Sequence, residues 1–283
     1  MSPDDPTSAP RWQDDPPALW RTGAGLCLFA VLYSVLIGLW FVAATPPLAR
    51  LLPGPQALSL LMLYSFATAL LALALVMWLL HGRGPGTVAG APGLLLRQAL
   101  RVALYVLPVI AVVALVPLPE AFTPSRNLET GRWLSLLPLA LLGVAIQIAA
   151  EEFLFRGYLQ SRLQARFRHR GLWIGLPALL FGVLHFDLSA GDNAPWFVLY
   201  ATLFGLAAGD LTARAGTLGP ALALHFLNNA IALTLLSFPD ELGGLALFHL
   251  PLSSDDPALL QMIPIELAST GVLWLAGRVA LGR

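Results

Sequence analysis

The sequence predicts an all-α fold, a polytopic membrane protein built as a bundle of about eight transmembrane helices, and three observations carry that expectation. Only 11% of the 283 residues are charged and 57% are hydrophobic, whereas soluble domains carry about 25% charged residues. Apolar runs long enough to cross a bilayer recur along the whole chain. The 16 basic residues are all arginine, and they favour alternate connections between those runs, the bias that orients membrane proteins.

Residues 1–20 carry Asp4, Asp5, Asp14 and Asp15, unlike the basic start of a cleaved signal peptide. They are expected to form a disordered cytoplasmic tail ahead of a single transmembrane domain over 21–283. Spans are expected at 22–45, 57–80, 99–118, 133–155, 172–188, 196–213, 217–238 and 259–280. Pro46-Pro47 and Pro53-Gly54-Pro55 part the first two, and Gly82 to Gly86 with Gly93 part the second from the third. Pro108 lies inside the third span, a kink that neighbouring helices can accommodate. Gly191 to Pro195 precede the sixth span, Gly216 ends it, and the stretch from Pro239 to Pro257 separates the last two. Gly205 and Gly209 form a small-xxx-small pattern, read as a close-packing surface. No internal repeat divides the chain. Cys27 is the lone cysteine, which leaves no disulfide framework and no cysteine-based metal site. A formal net charge of zero gives no reason to expect a nucleic-acid partner.

Orientation follows from arginine placement. With a cytoplasmic N-terminus, the inner segments hold Arg11, Arg21, Arg83, Arg97, Arg101, Arg162, Arg166, Arg168, Arg170, Arg214, Arg278 and Arg283, and the outer ones hold Arg50, Arg126 and Arg132. Both termini are therefore expected in the cytoplasm, with the protein integral to a prokaryotic inner or plasma membrane.

The stretch Glu151-Glu152-Phe153-Leu154-Phe155-Arg156 ends a long apolar run with two carboxylates and a guanidinium. Ionised groups there are costly and usually face a bundle interior as functional pairs, although charges also simply mark the ends of spans. On a helix, Glu152 and Arg156 stand at i and i+4 in the favoured order for an ion pair, which leaves Glu151 to face something else. The basic turn from Arg162 to Arg170 leads into the next span, and antiparallel return brings His185 to the level of Glu151. Phe181 shares the His185 face, and His225 shares its own with Asn229. A lone intramembrane histidine is more often a packing residue, and Asn228 reads best as interhelical glue. Asp210 and Arg214 read as a structural pair, and Glu266 as a buried acid with no assigned role.

Amide hydrolysis needs a base to activate water and donors for the oxyanion. A desolvated Glu151 sharing a proton with His185 suits the first task, and His225 with Asn229 suits the second. The same residues admit another use, because Glu151, His185 and His225 are a two-histidine, one-glutamate set of the kind that holds catalytic zinc with a position open for water. The metal-free and zinc versions both stand at this point.

Glu151-Glu152-x-x-x-Arg156, Phe181-x-x-x-His185 and His225-x-x-x-Asn229, in this order on successive spans, resemble the three motifs of the CPBP family of intramembrane proteases, which takes in the type II CAAX prenyl endopeptidases and the bacteriocin-processing, Abi-like enzymes. The resemblance covers 133–235, with further support in Phe155-Arg156-Gly157 and the glycine-rich run from Gly205 to Pro220. It implies an eight-helix membrane endopeptidase with 133–235 as catalytic core. In it Glu151 and His185 would handle water, His225 and Asn229 would stabilise the oxyanion, and Glu152, Arg156 and Phe181 would support them. The implied partners are the bilayer and a membrane-associated protein or peptide, CAAX-like substrates included. The sequence has no H-E-x-x-H motif, which argues against the other CAAX protease type. Rival readings are a proton-coupled transporter, which would call for broken helices or repeats, and a non-catalytic membrane scaffold.

Overall fold

The computed structural model describes residues 19–52, 54–115 and 120–282. The expected tail lies outside the described residues up to position 18, and its last two residues, Leu19 and Trp20, already belong to the first helix. The long helices are α1 (Leu19–Leu51), α2 (Gly54–His81), α3 (Pro92–Val113) and α4 (Thr130–Arg166), followed by a shorter α5 (Gly171–Val183), α6 (Ala194–Ala215), α7 (Gly219–Thr234) and α8 (Ile263–Leu281). The chain is an integral membrane protein with a helical fold. Five helices, α1 to α4 and the one that ends with α6, are long and apolar enough to cross a bilayer. A hydrocarbon core about 30 Å thick takes roughly 20 helical residues, and α5 and α7 fall short of that. Length and composition therefore carry five crossings among the described residues rather than the eight expected.

Two boundaries differ from expectation for a physical reason. Pro46 and Pro47 lie inside α1, which runs on to Leu51; each gives up its own i→i−4 hydrogen bond, yet the helix continues through them before it stops. The third span was drawn to 118, whereas α3 ends at Val113 with Pro108 inside it, and 116–119 lie outside the described residues.

α1 turns a face of Val31, Val35, Leu39 and Val42 outward, at the spacing of one helical stripe, and packs its other side on α2. α4 is the spine: its first half packs on α2 and α7, and its lower half approaches α5 and α6. Leu63, Leu136, Val144 and Ile148 fill the space around its upper half, and Phe155, Phe181, Phe204 and Leu224 the space beside the lower half. Gly205 and Gly209 line a close approach as expected. A side chain at Gly205 would bring a Cβ to 3.0 Å from the Cα of Ala178, and one at Gly209 would come to 2.9 Å from Oε1 of Gln160.

Three two-residue strands cap one end of the bundle, β1 (Ser125–Arg126), β2 (Leu236–Ser237) and β3 (Phe248–His249), in the order β1-β3-β2. β1 pairs antiparallel to β3, with Ser125 opposite His249, and β2 pairs parallel to it. Trp133 Nε1 donates to the Thr234 carbonyl at 2.6 Å, tying α4 to the end of α7 beneath this cap. In the cap's loop, burial pushes the Asp240 carboxyl above the ordinary carboxylate value, while the N–H groups of Leu242 and Gly243 pull it down. At the opposite end Asp210 accepts from Arg214 at 2.8 Å, Arg170 at 3.0 Å and Trp274 at 3.1 Å. The pair read as structural thus joins α6, the turn before α5, and α8.

Glu266, read as a buried acid with no assigned role, stands in the first turn of α8, where the helix dipole favours an acid.

Candidate active site

Glu151 and Glu152 close the regular part of α4, Thr130–Glu152, and a π-wound stretch, Phe153–Gln160, follows immediately. Such turns are rare and concentrate at functional sites. Glu152 is fully buried, and Arg156, itself buried, donates from Nη1 to its Oε1 at 3.0 Å. The i,i+4 pair read from the sequence forms. The same oxygen accepts a second hydrogen bond, from His225 Nδ1 at 2.7 Å. Glu152 therefore compensates a guanidinium and fixes an imidazole at once, and a buried carboxylate needs such company to stay ionised.

Glu151 is held by different hands. Gln147, one turn earlier, donates from Nε2 to Glu151 Oε1 at 2.7 Å. Glu151 Oε2 is buried with no hydrogen-bond partner and lies 3.5 Å from His225 Nε2. His225 thus stands between the two carboxylates, Nδ1 toward Glu152 and Nε2 toward Glu151. Because Nδ1 needs its hydrogen to donate to Glu152, a neutral ring turns a lone pair toward Glu151.

The second motif lies at the end of α5. His185 follows the helix by one tight turn, is exposed, and donates from Nδ1 to the Phe181 carbonyl at 2.8 Å. In the neutral ring this leaves Nε2 as an acceptor. The Phe181 ring lies 4.5 Å from that of His185 and 6.0 Å from that of His225, and its face carries the Arg156 guanidinium at 4.6 Å. Phe181 is thus the common neighbour of all three motifs. Among the described residues the structure records no hydrogen bond between Glu151 and His185; the histidine beside Glu151 is His225. Counting residues along a hairpin estimates depth, and the angular direction of each side chain decides the partner.

His225 and Asn229 share a face of α7 as expected. Asn229 donates from Nδ2 to Gln147 Oε1 at 2.9 Å, so it reaches Glu151 through Gln147. Gln147 was not singled out from the sequence. The available signal was an amide one helical turn before Glu151 in a span otherwise apolar. Asn228 does act as glue, accepting from the Tyr200 hydroxyl of α6 at 3.1 Å.

Among the described residues no group of three or more His, Cys, Asp or Glu is arranged to hold a metal ion. Glu151 Oε2 lies 3.5 Å from His225 Nε2 and, among the described residues, Glu151 makes no hydrogen bond with His185, so the three residues do not form a zinc ligand set as placed.

Residues 133–231 match the family model described as Type II CAAX prenyl endopeptidase Rce1-like, a range that begins in α4 and ends in α7 and holds all three motifs. A stretch of 115 residues is 34% identical to YyaK, an uncharacterized protein of Bacillus subtilis (strain 168), covering 39% of this chain and 37% of that relative. The match thus spans little more than a third of the relative's length. No solved structure matches the chain.

Proposed function

We propose, with the Rce1-like stretch 133–231 as premise, that the chain is an intramembrane endopeptidase that cleaves a peptide bond of a membrane-associated protein or peptide, CAAX-like C-termini among the candidates. The catalytic core is 133–235. Glu151 Oε2 removes a proton from water, the resulting hydroxide attacks the scissile carbonyl, and the C–N bond breaks as the amine takes up that proton. His185, with Nε2 left to accept, works with Glu151 on the water. His225, carrying a hydrogen on Nε2 as well as the one Nδ1 gives to Glu152, stabilises the oxyanion from Nε2, and Asn229 assists with the amide hydrogen that Gln147 does not use. Glu152, held by Arg156, fixes the orientation of the His225 ring, and Phe181 spaces the two histidines. The observation that supports this reading most directly is Glu151 Oε2 itself, a buried carboxylate oxygen without a hydrogen-bond partner beside an imidazole nitrogen at 3.5 Å. A carboxylate oxygen left free to accept in this way is placed to take a proton from water.

The reaction as proposed needs no metal. Activity is expected to survive exhaustive chelation, with elemental analysis of the active protein finding no stoichiometric zinc; zinc whose removal stops cleavage and whose return restores it would overturn this. We place both termini on the cytoplasmic side of a prokaryotic membrane, with 1–20 as a cytoplasmic tail, on the arginine asymmetry.

The function is tested by reconstituting the purified protein in liposomes with a library of membrane-associated peptides and reading products by mass spectrometry. Wild type is expected to cleave a subset of the library and Glu151→Gln none of it. Cleavage by neither protein, or equally by both, contradicts the reading.

A further inference from the structure

Five side chains from three helices form one unbroken hydrogen-bonded line. The Tyr200 hydroxyl donates to Asn228 Oδ1 at 3.1 Å, Asn228 Nδ2 to Asn229 Oδ1 at 3.1 Å, Asn229 Nδ2 to Gln147 Oε1 at 2.9 Å, and Gln147 Nε2 to Glu151 Oε1 at 2.7 Å. Every link donates in the same sense, toward the carboxylate, and the links shorten as they near it. The direction is imposed by chemistry. An ionised carboxylate only accepts, which turns the Gln147 amide so that its nitrogen faces Glu151 and its oxygen faces Asn229. That oxygen also only accepts, which turns Asn229, and Asn229 in turn sets Asn228. Tyr200, whose hydroxyl can donate, ends the line on α6. Chains aligned in this way polarise one another and strengthen the final bond.

From this geometry we infer that Gln147 is a positioning residue for Glu151, and that the line running back to Tyr200 selects which carboxylate oxygen reacts. Oε1 is pinned by Gln147, so Oε2 is the oxygen turned toward His225. The line also fastens α4 to α6 and α7 through polar contacts that only one set of amide orientations satisfies. This inference rests on the endopeptidase reading for its kinetic consequence but not for its spectroscopic one.

The experiment combines both. Gln147→Met keeps the length and volume of the side chain but can neither donate nor accept an amide hydrogen bond. The infrared difference between wild type and Glu151→Gln isolates the Glu151 carboxylate band, and the same difference taken in the Gln147→Met background reads the lost donor. The band is expected to shift in Gln147→Met and, less, in Tyr200→Phe, which lies at the far end of the line. Turnover of a cleaved peptide by Gln147→Met is expected to fall about 10–100-fold in kcat, as when a group orienting a reactive one is removed, with KM within about threefold. An unmoved band in both variants overturns the inference whatever the activity. A KM increase at unchanged kcat overturns it too, since it would make Gln147 a substrate contact. A shifted band in Gln147→Met, where the wild-type protein cleaves nothing, upholds the positioning and refutes the endopeptidase reading. If Gln147→Met fails to fold, Tyr200→Phe carries the band test alone, and there an unmoved band is the contrary result.

Discussion

Glu152 and Glu151 are neighbours in sequence with opposite duties, and single substitutions should separate them. Glu152 meets Arg156 at 3.0 Å and His225 at 2.7 Å inside the bundle. Glu152→Gln or Arg156→Ala strands a buried charge, a loss of about 3–5 kcal/mol, and is expected to lower the melting temperature in detergent as well as activity. Each glutamate keeps one oxygen without a hydrogen-bond partner, but Glu151 pairs with no guanidinium and accepts only from the Gln147 amide, so Glu151→Gln should abolish cleavage while the melting curve stays near that of wild type. Indistinguishable stability and activity in the two glutamine variants would refute this division. His225→Ala is expected to do both kinds of damage, because it removes a donor whose loss costs about 10²–10³ in rate and also uncovers Glu152. The three motifs were legible because ionisable groups in apolar runs are rare enough to stand out. Gln147 was not, since an amide in a span reads equally well as ordinary interhelical glue until its neighbours are placed.

Helix pairing at the second motif depends on a glycine. A Cβ at Gly182 would come within 2.6 Å of the Val198 carbonyl oxygen on α6, and backbone does not yield as a flexible side-chain end can. Gly182→Ala is therefore expected to force α5 and α6 apart at about 1–3 kcal/mol, carrying Phe181 and His185 with α5. A thermal melt and a cleavage assay on the same variant check this, and unchanged values for both would show the approach to be slack. At this scale the sequence announced the small-residue surface at Gly205 and Gly209, while Ala178 and Gly182, at the same spacing, went unread. It also could not announce the π-wound turns of α4, because residue types alone do not distinguish i→i+5 from i→i+4 bonding. Proline was over-read at Pro46-Pro47: it removes a bond from the ladder without always ending the helix, and α1 runs on to Leu51.

For the molecule as a whole, the helical membrane class was legible from composition alone, while the number of crossings was not. Hydropathy reports apolar runs, and α5 and α7 are apolar because they pack within a bundle as much as because lipid surrounds them. The arginine asymmetry still makes a topological prediction. A reporter active only in the periplasm and fused after Arg283 should be silent, and one active only in the cytoplasm should be bright; the reverse pattern would invert the proposed orientation. α4 links these scales, since its upper half carries Gln147, Glu151 and Glu152 and its lower half the buried Arg162, with the π-wound Phe153–Gln160 between them. One residue amounts to about 100° of helical phase, so the two halves are geared to each other through that stretch. Inserting a further residue into a stretch already wound wide would turn one half against the other by about that angle, and either the carboxylates would leave His225 or Arg162 would swing out of its burial. Point substitutions at the same positions keep the gearing, whatever contacts they lose. Chain length in this stretch is therefore a constraint on the fold beyond that of the side chains it carries.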